Sequence, residues 1–281
     1  MALRELPGIA LITGAGSGIG RDSAFAFAAA GVRGILLTDI NLSTAEQTLA
    51  ECRKHATNPS FRAVALKCDV RQPEQVDQMI TRCVAEFGRI DYGVHCAGIG
   101  RQTLSVMTEA STAASLQEYD LLYSVNVKGT LLVLGALCKQ MATQESRIVT
   151  GRNGPRNVGR GSIVCLSSGN GYVAEPNKGA YTTMKHAIMA IMKTAALENA
   201  ALGIRVNALC PAWTETPMHQ RDTVLLPMTA PMIEKYTPLG RTAMPEEVGD
   251  TIVFLCSDSA SYITGTGLMI DGGVSLSLHV G

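Results

Sequence analysis

The 281-residue chain carries no excess of charge of either sign, with 24 Lys and Arg against 24 Asp and Glu. Without a net field it has nothing global to hold nucleic acid or an anionic membrane surface. Charged residues reach only 17% while hydrophobic residues make up 46%, the reverse of a disordered composition. Cysteine motifs are missing too. The eight cysteines fall at 52, 68, 83, 96, 138, 165, 210 and 256, with no C-x-x-C among them. That spacing argues against a clustered zinc site or a small disulfide scaffold, so buried, reduced thiols are expected. No basic leader precedes a long apolar segment, and the apolar runs Ala24–Val32 and Leu131–Cys138 stop short of the ~18 residues of a membrane span. A soluble, cytoplasmic protein with neither nucleic-acid nor membrane partners is the expectation. No Pro/Ser linker or internal repeat interrupts the chain, so one domain over 1–281 is expected.

Glycine is what the chain has in quantity, 28 residues, or about one in ten against a usual ~7%. Such an excess marks tight turns and places where backbone approaches a ligand. Short apolar runs at Ile9–Thr13, Gly34–Asp39, Arg62–Asp69, Tyr92–Cys96, Ser162–Ser167, Arg205–Cys210 and Gly267–Ile270 read as strands. Helical patterns at 18–30, 43–55, 73–87, 116–142, 179–202 and 245–257 separate them. This alternation predicts an α/β, doubly wound Rossmann-type fold: a seven-stranded, mostly parallel sheet with helices on both faces. Two stretches fall outside it. Residues 143–160 read as a polar, solvated insertion loop with Arg147, Arg152, Arg156 and Arg160; residues 212–240 carry Pro217, Pro227, Pro231 and Pro238.

The first strand runs into Thr13-Gly14-Ala15-Gly16-Ser17-Gly18-Ile19-Gly20 and then a helix. Glycines there let backbone N–H groups approach a pyrophosphate at the positive end of that helix. The G-x-x-x-G-x-G spacing differs from the commoner G-x-G-x-x-G, and its weight comes from its place between strand and helix. The second strand ends at Asp39, followed by Ile40. A carboxylate there can accept from both adenosine-ribose hydroxyls of NAD and would repel the 2′-phosphate of NADP; the alternative is a cap on the following turn. Asp69 and Val70 close strand three, where Asp69 could meet the adenine amino group. The small residues Cys96-Ala97-Gly98 close strand four and leave room for the ribose.

At the end of the fifth strand stands Ser167-Ser168, followed by Tyr181 and Lys185 on one helix face. A free phenol titrates near ~10, so a nearby cation would bring it toward use as an acid/base at neutral pH. A serine hydroxyl beside it could hydrogen-bond a substrate oxygen as charge develops. With Asn126-Val127-Lys128-Gly129 and Asp271-Gly272-Gly273 in the same order, these motifs resemble the short-chain dehydrogenase/reductase family over nearly the whole chain. The 13-residue interval to Tyr181 selects Ser168 over Ser167.

The resemblance implies Tyr181 as general acid/base, Lys185 holding the nicotinamide ribose and lowering the phenol's pKa, Ser168 orienting the substrate oxygen, and Asn126 supporting a water-linked proton relay. It also implies Thr214 and Thr216 at the nicotinamide carboxamide, a substrate lid over 212–240 with Trp213 and Met218 against the substrate, and a homodimer or homotetramer. Three positions depart from the family pattern. Cys96 stands where Asn is usual, Ala212 where Gly is usual, and Thr214 where an aliphatic residue is usual. No base or cation is evident beside Cys96 to make its thiol reactive. His95 and His186 lack metal-ligand spacing, so both read as structural and no metal is expected. Met218, Met228 and Met232 suit a bulky hydrophobic small molecule, and no basic cluster marks the lid. The stretch Thr150–Arg156 followed by Gly159–Val164 resembles fungal members of the family, many acting on secondary metabolites. The expected function is NAD-dependent interconversion of a secondary alcohol and a ketone, with NADP second choice. The alternatives are a non-redox cyclase, isomerase or dehydratase on the same fold, or a non-catalytic nucleotide sensor.

Overall fold

The protein is described by a computed structural model covering residues 6–103 and 106–276. The strands are β1 (Ile9–Thr13), β2 (Gly34–Asp39), β3 (Arg62–Lys67), β4 (Tyr92–His95), β5 (Arg147–Gly151), β6 (Gly154–Gly159), β7 (Gly161–Leu166), β8 (Ile204–Pro211) and β9 (Gly267–Ile270). The helices are α1 (Gly18–Ala29), α2 (Leu42–His55), α3 (Pro73–Phe87), α4 (Ala113–Leu122), α5 (Gly129–Ala142), α6 (Gly179–Asn199), α7 (Pro217–Leu225), α8 (Thr229–Tyr236) and α9 (Pro245–Cys256). Every side chain of β1, β4 and β8 is buried, as strands covered on both faces require.

One seven-stranded sheet in the order β3-β2-β1-β4-β7-β8-β9, parallel throughout, forms the middle layer. Alternate residues feed separate cores, because successive side chains point to opposite faces. Ile9, Leu11, Cys165 and Ala208 pack with α3, α5 and α6. Ala10, Ile12, Val164 and Leu209 pack with α1, α2 and α9. The chain leaves β1 toward β2 and β3, then returns to place β4 on the other side of β1. That reversal opens a crevice at the carboxyl ends of β1 and β4, the place where such sheets hold ligands.

Two elements differ from their sequence reading. The expected single helix 116–142 is divided into α4 and α5 by a π-helical turn over Tyr123–Lys128. The Gly129 N–H reaches back five residues to the Ser124 carbonyl, and just beyond it the Thr130 hydroxyl donates to the Asn126 carbonyl at 2.5 Å. The run Ala113–Ala142 is long and apolar enough, by length and composition, to cross a membrane, and half of its apolar window is buried inside the domain. Residues 143–160, expected as a solvated loop, instead form the antiparallel hairpin β5–β6. Arg147 fastens it: its Nη1 donates to the Tyr92 hydroxyl at 3.1 Å and its Nη2 to Asp258 Oδ1 at 3.0 Å. Arg156 donates to the Asp258 carbonyl at 2.7 Å. The arginine spacing points to solvation in the sequence because the acceptors lie far along the chain, Tyr92 at 55 residues and Asp258 at 102 and 111.

Candidate active site

The turn after β1 is shaped by atoms that leave no space for side chains. Gly14 has φ +65°, and a Cβ there would stand 2.6 Å from the Ala97 backbone nitrogen. A Cβ on Gly20 would run into the Gly14 carbonyl. Ser17 N-caps α1 but makes no side-chain cap bond, so the helix end presents N–H groups and a hydroxyl without an internal carboxylate to neutralise them. Asp39 serves two purposes. Its Oδ2 accepts from Gly16 N–H at 2.9 Å and its Oδ1 from Asn41 N–H at 3.0 Å, so it caps the turn while lining the crevice. Asp69 is gripped by Arg71 at 2.6 Å, and that hydrogen-bonded guanidinium holds its carboxyl below the usual range.

Behind β4, His95 is buried between two threonines: its Nδ1 lies 2.8 Å from Thr13 Oγ1 and its Nε2 3.1 Å from Thr130 Oγ1. Burial, then the nearby Lys185 charge, lowers its pKa to about 3. Thr130 gives its proton to the Asn126 carbonyl, so it accepts from Nε2–H, and Nδ1 accepts from Thr13. The neutral imidazole thereby ties β1 to the first turn of α5. Asn126 uses both ends of its amide on one partner, with Nδ2 donating to the Ile99 carbonyl and Oδ1 accepting from Ile99 N–H, each at 2.9 Å. Its side chain is spent on fixing the loop after β4.

Ser168 lies two residues past β7, capping the short turn Gly169–Gly171, and Tyr181 and Lys185 lie on α6. The Ser168 hydroxyl donates to the Pro211 carbonyl at 3.5 Å, accepts from Asn170 N–H at 3.2 Å, and is near enough to the Tyr181 phenol to favour its ionised form. Lys185 Nζ sits 5.5 Å from the Tyr181 ring centroid and donates to the Leu166 carbonyl at 3.0 Å. Burial dominates the electrostatics and pushes the Tyr181 phenol up to about 12, against the lowering by Ser168. Burial likewise brings the Lys185 ammonium down to about 8. The sequence expectation that Lys185 lowers the phenol is therefore not met here. The ammonium lies over the ring and bonds a backbone carbonyl, while Asp222 and Glu175 push the phenol further upward. Burial also raises the Cys96 thiol to about 12, which keeps it protonated and unreactive.

A single cavity of about 880 Å³ runs from Asp39 past the glycine turn to Ser168, Tyr181 and the lid segment. Every nucleotide, catalytic and substrate residue expected from sequence lines it, with one exception: Asn126 stands behind its wall. Thr216 N-caps α7, accepting from His219 N–H at 3.2 Å, and its methyl group faces Gly18 across the crevice. Sequence reading missed the charged groups at the lid end. Arg101, Arg221, Asp222, Glu175 and Lys178 all line the cavity. Arg221 and Asp222 fall within the expected lid, and Arg101 three residues beyond Gly98; these positions are the signal that could have found them, while Glu175 and Lys178 carried none.

A family model described as enoyl-(acyl carrier protein) reductase matches residues 14–275. The chain is 45% identical over 276 residues to the short-chain dehydrogenase srdC of Neurospora crassa, covering 98% of this chain and 100% of that one. Among solved structures, levodione reductase superposes with a TM-score of 0.85 at 30% identity, over 98% of this chain and 100% of its own. The 3-ketoacyl-(acyl-carrier-protein) reductase of Brucella melitensis, complexed with NADH, does so with a TM-score of 0.78 at 30% identity, over 95% and 98%. A match running from the first glycine turn to the last motif, on a fold shared end to end with solved relatives, leaves one assignment: the chain belongs to the short-chain dehydrogenase/reductase family.

Proposed function

We propose that this family member, an oxidoreductase using NAD(P), is NAD-preferring and interconverts a secondary alcohol and a ketone on a bulky, largely apolar small molecule. The observation that carries this reading is the continuity of one cavity between Asp39 and the Ser168–Tyr181 pair. The cradle that a Cβ on Gly14 or Gly20 would fill suits a pyrophosphate against backbone N–H groups. Asp39 would hold the adenosine ribose, and a 2′-phosphate there would face a carboxylate. Thr214 and Thr216 would hold the carboxamide end and Lys185 the second ribose. When bound, the nicotinamide supplies or takes up a hydride.

The remaining chemistry belongs to this chain. Tyr181, kept protonated by burial, is ready to give its phenolic proton to a carbonyl oxygen in the reducing direction. Ser168 hydrogen-bonds that same oxygen and steadies the charge gathering on it. Lys185, over the Tyr181 ring, would return a proton to the phenol after the transfer. Asn126 acts as a positioning residue, holding Ile99 and through it the wall of the site. α7, which buries none of its residues, serves as the moving lid, since elements with few buried contacts open first. Leu116, Tyr123 and Leu131, exposed on α4, the π-turn and α5, support self-association as a dimer or tetramer, and size-exclusion chromatography with light scattering reads that directly.

The test is incubation with NADH or NADPH and a panel of hydrophobic ketones, and with NAD or NADP and the matching alcohols, following nicotinamide absorbance. Substrate-dependent turnover with NADH above NADPH supports the reading. Consumption of substrate with no absorbance change would overturn it in favour of a non-redox reaction.

A further inference from the structure

Arg101 is the charged group in this cavity that the reaction leaves without a purpose. It lies on the loop after β4, its side chain is 3% exposed, and a guanidinium keeps its charge in any protein environment. Its one ion pair among the described residues is loose: Nε stands 3.4 Å from Asp222 Oδ1, beyond the ~2.7–2.9 Å of a good charge-assisted bond. Its Nη1 is buried with no hydrogen-bond partner. A buried cation so incompletely paired is costly unless something completes its fork. The partner it does have, Asp222, comes from α7, the helix with no buried residue. A second guanidinium adjoins the same loop, since a Cβ on Gly100 would stand 3.7 Å from Arg221 Nη2. Asp222 is also near enough to Tyr181 to act on its phenol, which puts this charge cluster on the reacting side of the cavity.

We propose that Arg101 is a specificity-determining residue that binds a carboxylate carried by the substrate, taking it in place of the loose contact with Asp222. A planar two-oxygen anion matches the guanidinium fork, whereas Asp222 engages one edge of it at long range. The substrate class is accordingly a hydrophobic keto or hydroxy acid rather than a neutral ketone. This rests on the proposed reading that the cavity takes an organic substrate, but it does not depend on redox turnover.

Calorimetric titration of the full chain with 2-naphthoate and with its neutral methyl ester tests it. Wild type is expected to bind the acid about tenfold or more tightly than the ester. Arg101→Met is expected to bring the two within about twofold by weakening the acid alone, and Arg101→Lys to keep part of the preference. Asp222→Asn, which removes the internal competitor, is expected to tighten the acid about three- to tenfold with Arg101 present and clearly less in the Arg101→Met background, a dependence that a merely structural arginine would not produce. The proposal is overturned if wild type shows no preference for the acid, including if neither probe binds. It is equally overturned if Arg101→Met weakens acid and ester alike, or if Asp222→Asn loosens the acid. Absence of turnover with every ketone and every hydrophobic keto acid tried, beside an intact acid preference here, would sink the alcohol/ketone reading and leave this one standing.

Discussion

At one end of the cavity the walls are backbone: Gly14, Gly18 and Gly20 turn so tightly that a single added carbon would strike Ala97, Thr216 or the Gly14 carbonyl. At the other end the walls are side chains: Arg101 from the loop after β4, and Met218 and Asp222 from α7, a helix that buries none of its residues. The nucleotide end is fixed by what cannot fit, the lid end by which charges and sulfurs are present. Substitutions at the first should act through sterics and folding, those at the second through affinity and selectivity. Between them, Tyr181 and Ser168 supply the chemistry. Tyr181→Phe removes one oxygen and no packing, so we expect kcat/KM to fall by about a thousandfold or more with NAD affinity unchanged in a fluorescence titration. Near-normal turnover would remove Tyr181 from the mechanism and break the division at its middle.

The steric character of the nucleotide end is tested by two alanines placed at left-handed positions. Gly14 has φ +65° and Gly240, at the lid end, φ +70°, yet a Cβ at Gly240 meets nothing within 4 Å. Both substitutions carry the same conformational cost of about 1 kcal/mol. Only Gly14→Ala also collides with the Ala97 backbone, so its total should reach about 3 kcal/mol, or a melting temperature lower by about 6–12 °C. Gly240→Ala should cost about a third of that. Equal losses would show that backbone conformation, not space, governs both ends.

How much of this was legible in the sequence follows the same division. Backbone-built features leave residue-type signatures, so the glycine turn, Asp39 closing β2 and the Ser168, Tyr181, Lys185 set could be placed from order and spacing. The inner strands could be read because burial on both faces makes them continuous apolar runs, and the half-buried edge strands β3 and β9 because their short apolar cores fall in the same alternation. The π-turn at Tyr123–Lys128 could not, since a backbone bond spanning five residues rather than four leaves no mark in the apolar pattern. Nor could the Arg147 anchorage of the hairpin or the Arg101–Asp222 contact, whose partners lie 111 and 121 residues apart. Asp39 was legible as a carboxylate at the right place, but its two backbone bonds were open as an alternative. Asp39→Asn separates its two purposes. An amide oxygen can keep one of those bonds while the charge is lost, so the NADP-to-NAD ratio of catalytic efficiencies should rise about tenfold. An unchanged ratio would reduce Asp39 to a turn cap.

The smallest effect expected is a gain. Lys185 is buried and its pKa in the folded protein is about 8 against an ordinary 10.5. Below pH 8 the ammonium is charged in both states, and the folded state bears the burial cost in full. Between about 8 and 10.5 the unfolded chain keeps its proton and the folded one sheds it, so wild-type stability should rise with pH through that window. Lys185→Met removes the charge and keeps the apolar stem, at the loss of the bond to the Leu166 carbonyl. We therefore expect about 1–2 kcal/mol of added stability at pH 7, or about 2–6 °C in melting temperature. The gain should shrink toward zero near pH 10.5, in a protein that no longer turns over substrate. Scanning calorimetry of both proteins at pH 7 and pH 10 reads the difference directly. A lower melting temperature for the methionine variant at pH 7 would mean that the lysine braces β7 against α6, and that this end of the cavity too is held together by its fold rather than strained for its chemistry.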